Sequence, residues 1–226
     1  GQQVLIINRA GAGGLIALQA LAAAERDNHT LYLPSSSSLV VLPETNKNLP
    51  LDLQKDLVPI SLVGEQPFVI VANNQLGVNT LADFIALAKR KPGELTYAAN
   101  SRGSLPNMTG EMFRTKAGIE MTFVPYPGAP QGLQDVIGGR LSAMVEGLAA
   151  FSGALASNSV KPLAVSSPQR LPNMPELPAI AETLPGFNSS GWFVLLALPG
   201  LPDGVVARIN ADMRMVLDQP EVRSRF

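Results

Sequence analysis

Short apolar runs alternate with amphipathic segments along the whole chain, and these two patterns predict its elements. Apolar runs bounded by polar residues, Gly or Pro predict buried strands. The predicted strands are residues 4–7, 30–33, 57–63, 68–72, 96–99, 121–124, 141–145, 162–165 and 191–198. Apolar residues that recur every three or four positions predict helices. The predicted helices are residues 15–26, 80–91, 107–116, 131–137, 179–183 and 205–217, with a last helical turn opening at Pro220.

The alternation of strands and helices favours an α/β fold with parallel sheets. Two apolar runs, residues 68–72 and 191–198, bracket a middle section that contains several complete strand and helix units. We interpret these runs as two crossings between two lobes. Lobe one is then residues 1–67 together with 195–226, and lobe two is residues 68–194.

Three polar turns follow predicted strands, at residues 35–38, 100–104 and 126–128. Ligands of open α/β sheets lie beyond the carboxyl ends of the strands. We therefore expect these turns to face one cleft.

The segment from residue 96 to residue 113 predicts an anion site, because a strand runs through a polar turn into a helix. The first N–H groups of a helix lack partners within it, and the helix dipole adds partial positive charge there. Gly103 would let a ligand approach the backbone, and Asn100, Ser101 and Ser104 add side-chain donors. The alternative is that Ser104 or Asn107 only caps its own helix.

A glycine-rich loop, Gly11 to Gly14, follows the first predicted strand and suggests a dinucleotide fingerprint. The G-x-G-x-x-G pattern needs glycine or alanine where this chain has Ile16. An α/β enzyme or a nucleotide-binding domain that uses this loop stays open as an alternative, on an imperfect motif.

Composition narrows the possible partners. The chain has 226 residues, of which 46% are apolar and 15% charged, so a sizeable core is expected. With 17 basic and 18 acidic side chains the net charge is -1, which gives no electrostatic reason to expect nucleic acid or an anionic membrane as partner. The absence of cysteine excludes thiol catalysis and disulfides and fits either the cytoplasm or a periplasm.

Neither a membrane span nor a secretory leader is predicted within the chain. No apolar run reaches the roughly 18 to 20 residues that a span requires. The start has no basic segment followed by an apolar one. Because an apolar run begins at Val4, we expect that a preceding segment is missing and that lobe one is incomplete.

No catalytic or metal site is predicted. His29 is the only histidine and lies in a turn between a helix and a strand, so no nucleophile and base pair can be nominated. The acidic residues share no ligand spacing, and we expect no metal and no cofactor. Trp192 and Phe193 suit either a cleft wall or the core.

Seven sequence blocks resemble those of one receptor family in order and spacing. The blocks are NRAGAGG at 8–14, DNHTL at 27–31, KDLVPI at 55–60, VPY at 124–126, GG at 138–139, WF at 192–193 and PEVR at 220–223. They resemble the Bug receptors, also called the TctC family, which are the extracytoplasmic solute-binding proteins of tripartite tricarboxylate transporters. The resemblance covers essentially the whole chain.

This resemblance implies a two-lobed periplasmic-binding-protein fold, type II-like, with a central cleft and no enzymatic activity. It implies a small organic carboxylate as ligand and the membrane components of a tripartite transporter as partners. It also implies a periplasmic monomer whose precursor carries a signal peptide. Members bind di- and tricarboxylates, aromatic acids and amino acids.

The resemblance also implies a set of ligand-binding residues. In lobe one it points to the serine loop. In lobe two it points to the turn after residue 99, the Pro-Tyr turn, and a strand end where the family usually has aspartate. The ligand-binding candidates are Ser35, Ser36, Ser38, Asn100, Ser101, Arg102, Gly103, Ser104, Tyr126, Glu146 and Phe193.

Three features depart from the family pattern. Pro127 stands where the family usually has lysine or arginine, and Pro34 replaces a common glycine. The family's first strand and its Pro-Gly-Gly loop have no counterpart in the chain, and its C-terminal tail is shorter than the family's. The role of Glu146 stays open, because a carboxylate can accept from an ammonium or from a hydroxyl.

Overall fold

Residues 3–9 and 11–223 are described by a computed structural model of the chain. Their strands are β1 (Leu31–Tyr32), β2 (Val58–Ala72), β3 (Thr96–Asn100), β4 (Thr122–Tyr126), β5 (Ala143–Gly147), β6 (Lys161–Val165) and β7 (Ser190–Ala197). Their α-helices are α1 (Leu15–Ala22), α2 (Leu42–Thr45), α3 (Leu81–Arg90), α4 (Leu105–Ala117), α5 (Ala129–Ile137), α6 (Ser152–Ala156), α7 (Ile180–Thr183), α8 (Asp203–Leu217) and α9 (Pro220–Arg223). Short 3-10 turns lie at Ala12–Gly14, Asn74–Leu76 and Leu148–Phe151. No helix in the described ranges has the length and apolar character needed to span a membrane.

The chain divides into two compact units. Unit 1 consists of residues 1–64 and 192–226, and unit 2 of residues 65–191. The chain passes between them in β2 and again in β7. The strand order is β1-β7-β2-β5-β3-β4, with β6 also paired to β2.

The sheet of unit 2 is mixed, so the expectation of parallel sheets is only partly correct. β3 is parallel to both β4 and β5, and two helical crossovers, through α4 and α5, join these three strands. β2 is antiparallel to β5 and to β6. β2 enters this unit from unit 1 with no crossover helix before it, so nothing in the connection requires it to be parallel.

The two faces of this sheet carry separate cores. Tyr97 and Ala99 face a cluster that includes Phe113 of α4, whereas Ala98 faces a cluster that includes Met144 and Val136 of α5. Successive residues of a strand point to opposite faces, which accounts for the division. α4 and α5 therefore cover opposite faces of β3.

Close packing fixes α4 on its face. A Cβ placed on Gly110 would lie 2.4 Å from Cε2 of Tyr97, so only glycine lets the helix approach this ring. The α3 helix begins as the sequence predicts, with a reciprocal capping box. The Thr80 hydroxyl accepts from the Asp83 N–H at 3.1 Å, and the Asp83 carboxylate accepts from the Thr80 N–H at 3.0 Å.

Unit 1 has its own core, formed by residues of α1, α2, β1 and β7 such as Leu18, Leu21, Tyr32, Leu42 and Leu196. β1 is antiparallel to β7. The predicted buried strand at residues 4–7 is wrong, because this segment has no strand structure and its side chains are 61% to 81% exposed. The apolar run has no described strand to pair with, and a strand needs such a partner for its backbone hydrogen bonds.

Two other local predictions require correction. The runs 57–63 and 68–72 form one continuous strand, β2, instead of two strands separated by a turn. Residues 35–38 are not a polar loop, because helical structure begins at Ser36 and continues through Ser37–Val41 into α2. In this segment the Ser36 and Ser38 side chains have partners within the unit, as described below, and the backbone is helical from Ser36.

Candidate functional site

Three neighbouring strands of unit 2 end together at one edge of its sheet. Asn100 closes β3 and is paired with Tyr126, which closes β4. β3 and β5 pair as Tyr97 with Ala143 and Ala98 with Met144, and the same register continued by two residues brings Asn100 opposite Glu146. Paired residues of parallel strands project from the same face. Asn100, Tyr126 and Glu146, all candidates from the sequence, therefore share one face at the carboxyl edge, and we call them the edge triad.

At this edge the connections that follow neighbouring strands go to opposite faces of the sheet. From β3 the chain continues into α4 on one face, and from β4 it continues into α5 on the other. Connections that leave to opposite faces open a crevice beyond the strand ends, which is the usual ligand position in open α/β sheets. Topology thus favours the edge triad as the candidate site.

Glu146 is a buried acid with incomplete hydrogen bonding. Its residue is 7% exposed. One carboxylate oxygen, Oε1, accepts from the Gly147 N–H at 2.8 Å, but Oε2 has no hydrogen-bond partner among the described residues. Burial raises the pKa of this carboxyl, and the Gly147 N–H partly opposes that rise. A buried polar atom without a partner costs free energy, and such groups often mark functional sites.

Asn100 contributes a second acceptor of the same kind. Its side-chain oxygen, Oδ1, is buried and has no partner among the described residues. Two unfilled acceptors thus lie on adjacent strands of one face, and no ion pair given by the described residues includes Glu146. The two buried side-chain atoms left without partners among the described residues are therefore both acceptors.

Tyr126, the third member of the edge triad, has its hydroxyl engaged within the protein. It donates to Asp135 of α5, and Asp135 in turn accepts from Nε of Arg140 at 2.7 Å. Burial raises the pKa of Tyr126 and the Asp135 carboxylate adds to the rise, so the hydroxyl stays protonated as a donor. The ring lines the edge, while the hydroxyl holds α5.

Many hydrogen-bonding groups of the turn between β3 and α4 are paired within the turn itself. Ser104 is the N-cap of α4, because its hydroxyl accepts from the Asn107 N–H at 3.3 Å and donates to the Asn100 carbonyl at 3.2 Å. The Ser104 N–H donates to the Ser101 carbonyl at 3.0 Å. The Gly103 N–H, at a residue with φ of +81°, donates to Oδ1 of Asn107 at 2.9 Å. These contacts match the capping alternative.

Ser101 and Arg102 are the exposed side chains of this turn. The Arg102 guanidinium lies 5.2 Å from the ring centroid of Phe123, a cation–π contact. Phe123 pairs with Tyr97 and packs against the same core as α4, so this guanidinium lies on the face of the sheet opposite to the edge triad. The turn predicted as an anion site therefore also carries a cation, and that cation is engaged with an aromatic ring on the α4 face.

Asn107 is a polar residue whose role the sequence showed only as an alternative cap. It is 2% exposed, and its amide nitrogen donates to the Tyr97 hydroxyl at 3.1 Å. With the bond from Gly103 it fixes the turn to the sheet. Its position in the first turn of α4, after a glycine turn, is the signal that could have identified it.

Gln66 was not found from the sequence. A Cβ placed on Gly147 would lie 2.0 Å from Nε2 of Gln66, so the Gln66 amide lies directly over the Gly147 backbone beside Glu146. In the sequence Gln66 stood in a presumed turn between two strands. Only the continuity of β2 and its pairing of Phe68 with Gly147 place it at the edge.

The unit 1 candidates form a separate group. Ser36 is 1% exposed, and its hydroxyl accepts from the Trp192 N–H at 3.1 Å. Ser38 is 7% exposed, and its hydroxyl donates to the Gly13 carbonyl at 3.3 Å. Ser35 pairs with Phe193 in a single β-bridge, and both are half-buried. The Ser36 and Ser38 side chains thus hold unit 1 together.

The glycine loop has a packing explanation. Gly14 has φ of +100°, and a Cβ there would lie 2.1 Å from the Ser38 hydroxyl oxygen. Glycine is therefore required for contact with Ser38, independently of any nucleotide. Within the described residues there is also no group of three or more side chains suited to hold a metal ion.

Comparisons with known proteins agree with this description. The sequence model of the family described as "Tripartite tricarboxylate transporter family receptor" matches residues 1–226. Protein BugT of Bordetella pertussis is 34% identical over 228 residues, which cover 100% of this chain and 70% of BugT. Other curated relatives are matched over 65% to 67% of their length, so the chain spans about two thirds of them.

Two solved structures show the same fold. Rpa4515 of R. palustris with adipate has a TM-score of 0.90 at 29% identity, covering 96% of this chain and 73% of that one. MatC from Rhodopseudomonas palustris with bound malate has a TM-score of 0.82 at 29% identity, covering 95% and 74%. The fold class implied by the sequence resemblance, that of the periplasmic binding proteins, is confirmed.

Proposed function

The chain belongs to the family of tripartite tricarboxylate transporter receptors, and from that membership we propose that it captures a small organic carboxylate for uptake. The family is one of solute-binding receptors and not of enzymes. Adipate and malate, the ligands named for two related structures, are both small dicarboxylates. They support a ligand of this class here.

One structural observation supports a particular position for the ligand. At the carboxyl edge of β3, β4 and β5 the connections to α4 and α5 leave to opposite faces of the sheet. The same edge holds the buried, unfilled acceptors of Glu146 and Asn100. Buried polar groups in native proteins usually have a hydrogen-bond partner, and a bound ligand would supply one here. The ligand is therefore proposed to lie against the edge triad.

The turn after β3 is proposed to receive the carboxylate. Ser101 is exposed there and offers a hydroxyl donor to a carboxylate, and the exposed Arg102 can add a positive charge by turning away from Phe123. Ser104, Gly103 and Asn107 shape this turn through their mutual hydrogen bonds. Ser35 and Phe193 remain proposed contacts from unit 1, and enclosure of the ligand between two lobes stays a prediction.

A thermal-shift screen of organic acids tests the proposal, followed by calorimetry on the hits. We expect at least one small carboxylate to raise the melting temperature and to bind with one site per chain. Ser101→Ala and Arg102→Ala should weaken that binding. Binding of a nucleotide with no response to any carboxylate, or turnover of an ester, would contradict the proposal.

The partners are proposed to be the membrane components of a tripartite tricarboxylate transporter, reached by a monomeric receptor in the periplasm. The family description supports such a transporter. Deletion of the gene in its own bacterium should abolish high-affinity uptake of the ligand that calorimetry identifies. Undiminished uptake would contradict this role.

A further inference from the structure

The unfilled acceptors at the carboxyl edge call for a hydrogen-bond donor on the ligand in addition to its carboxylate. Oε2 of Glu146 and Oδ1 of Asn100 are both buried, and neither has a partner among the described residues. Glu146 is 93% buried, since 7% of it is exposed. An unsubstituted dicarboxylate carries only acceptors when ionised and can fill neither atom.

A ligand hydroxyl or a ligand ammonium could donate to these two acceptors, and the two groups differ in how many hydrogens they can donate. A hydroxyl donates one hydrogen bond, whereas an ammonium donates three. An ammonium can therefore satisfy both acceptors at once and also compensate a buried carboxylate charge. None of the ion pairs given by the described residues provides Glu146 with a cation.

We propose that the ligand is an amino carboxylate whose ammonium is bound by Glu146 and Asn100, while its carboxylate lies at the turn formed by Ser101 and Arg102. This inference rests on the proposed function and narrows its ligand class. The competing arrangement is internal: with the Asn100 amide flipped, its nitrogen would take the buried position and donate to Oε2 of Glu146, and neither buried atom would need a ligand donor.

The test compares acids that share a carbon skeleton and differ in one substituent. The first set is succinate, malate and aspartate, and the second is glutarate, 2-hydroxyglutarate and glutamate. Calorimetry of the purified protein should show that the amino acid of at least one set binds about tenfold or more tighter than the unsubstituted acid, because hydrogen bonds to charged groups are strong.

The Glu146→Gln variant keeps the shape and removes the charge. It should reduce amino-acid affinity by about tenfold or more and should not weaken binding of the unsubstituted acid, because loss of the Glu146 charge removes repulsion between two anions. Asn100→Ala should show the same selectivity with a smaller loss. Glu120→Gln, which changes an exposed glutamate of unit 2, is the matched control and should change neither affinity. Circular dichroism confirms that each variant is folded.

Each alternative result has a distinct meaning. Preference for the unsubstituted acid overturns the ammonium site and leaves the carboxylate receptor intact. Preference for the hydroxy acid also overturns it, because one donor then suffices. Equal binding of all three acids, unaffected by Glu146→Gln, supports the internal Asn100 contact and likewise overturns it. Failure of every carboxylate to bind overturns the proposed function as well.

Discussion

Replacing Glu146 by glutamine is expected to stabilise the unliganded protein. The wild-type residue buries one carboxylate oxygen that has no hydrogen-bond partner among the described residues. Glutamine keeps an oxygen that can accept from the Gly147 N–H, as Oε1 does at 2.8 Å. It also places an amide nitrogen where Oε2 was, and this nitrogen can donate to the unfilled oxygen of Asn100. The change therefore removes one unsatisfied acceptor and fills another.

The magnitude follows from the cost of an unfilled buried group, about 1–3 kcal/mol in the free energy of unfolding. For a chain of 150–250 residues, each kcal/mol changes the melting temperature by about 2–4 °C. We therefore expect a rise of several degrees for Glu146→Gln at pH 7. Such a gain in stability, together with a loss of ligand affinity, is the signature of a group retained for binding.

The pH dependence provides an independent check. Burial raises the folded-state pKa of Glu146 above the ordinary glutamate value, so the native state favours its protonated form. The destabilisation is fully present above the raised folded pKa and disappears as pH falls to the unfolded value of about 4.3. The difference in melting temperature between variant and wild type should therefore shrink between pH 7 and pH 4.

Scanning calorimetry on protein freed of bound ligand by unfolding and refolding measures this difference. Glu120→Gln should show no comparable difference at either pH. The reasoning is refuted if folded Glu146→Gln melts at or below the wild-type temperature at pH 7. A stabilisation that does not change between pH 7 and pH 4 would refute the assignment to the buried charge.

Two other predictions concern the cap and the packing of α4. Ser104→Ala should lower the free energy of unfolding by about 1 kcal/mol through loss of the α4 cap, with carboxylate affinity nearly unchanged. Ser101→Ala should do the reverse, and calorimetry and thermal melts on both variants decide; a large affinity loss in Ser104→Ala would make Ser104 a direct contact. Gly110→Ala should lower stability by about 1–3 kcal/mol by forcing the added Cβ against Tyr97, whereas Gly153→Ala, whose Cβ would meet nothing within 4 Å, should not. Equal melting temperatures for these two variants would contradict the close packing of α4.

The sequence predicts those parts of the fold that local signals determine. Thr80 and Asp83 form the expected capping box because both partners lie within four residues. The strand, turn and helix after residue 96 are found because each carries its own pattern. The strand predicted at residues 4–7 fails because hydrophobicity alone supplies no neighbouring strand.

The arrangement of the candidate site depends on contacts that are distant in sequence. Asn100 and Glu146 could be nominated individually, but only the register of β3 with β5 puts them on one face. The antiparallel direction of β2 and the position of Gln66 over Gly147 also follow from strand pairing, which periodicity does not encode. The engagement of Ser36 and Ser38 within unit 1 likewise required the structure.

A crystal structure of the protein with the tightest-binding acid from the ligand sets tests the central claim most directly. We predict that a ligand nitrogen lies within about 3.2 Å of both Oε2 of Glu146 and Oδ1 of Asn100, with the ligand carboxylate at Ser101 and Arg102. A ligand bound away from the carboxyl edge of β3, β4 and β5, with both acceptors still unfilled, would contradict the account.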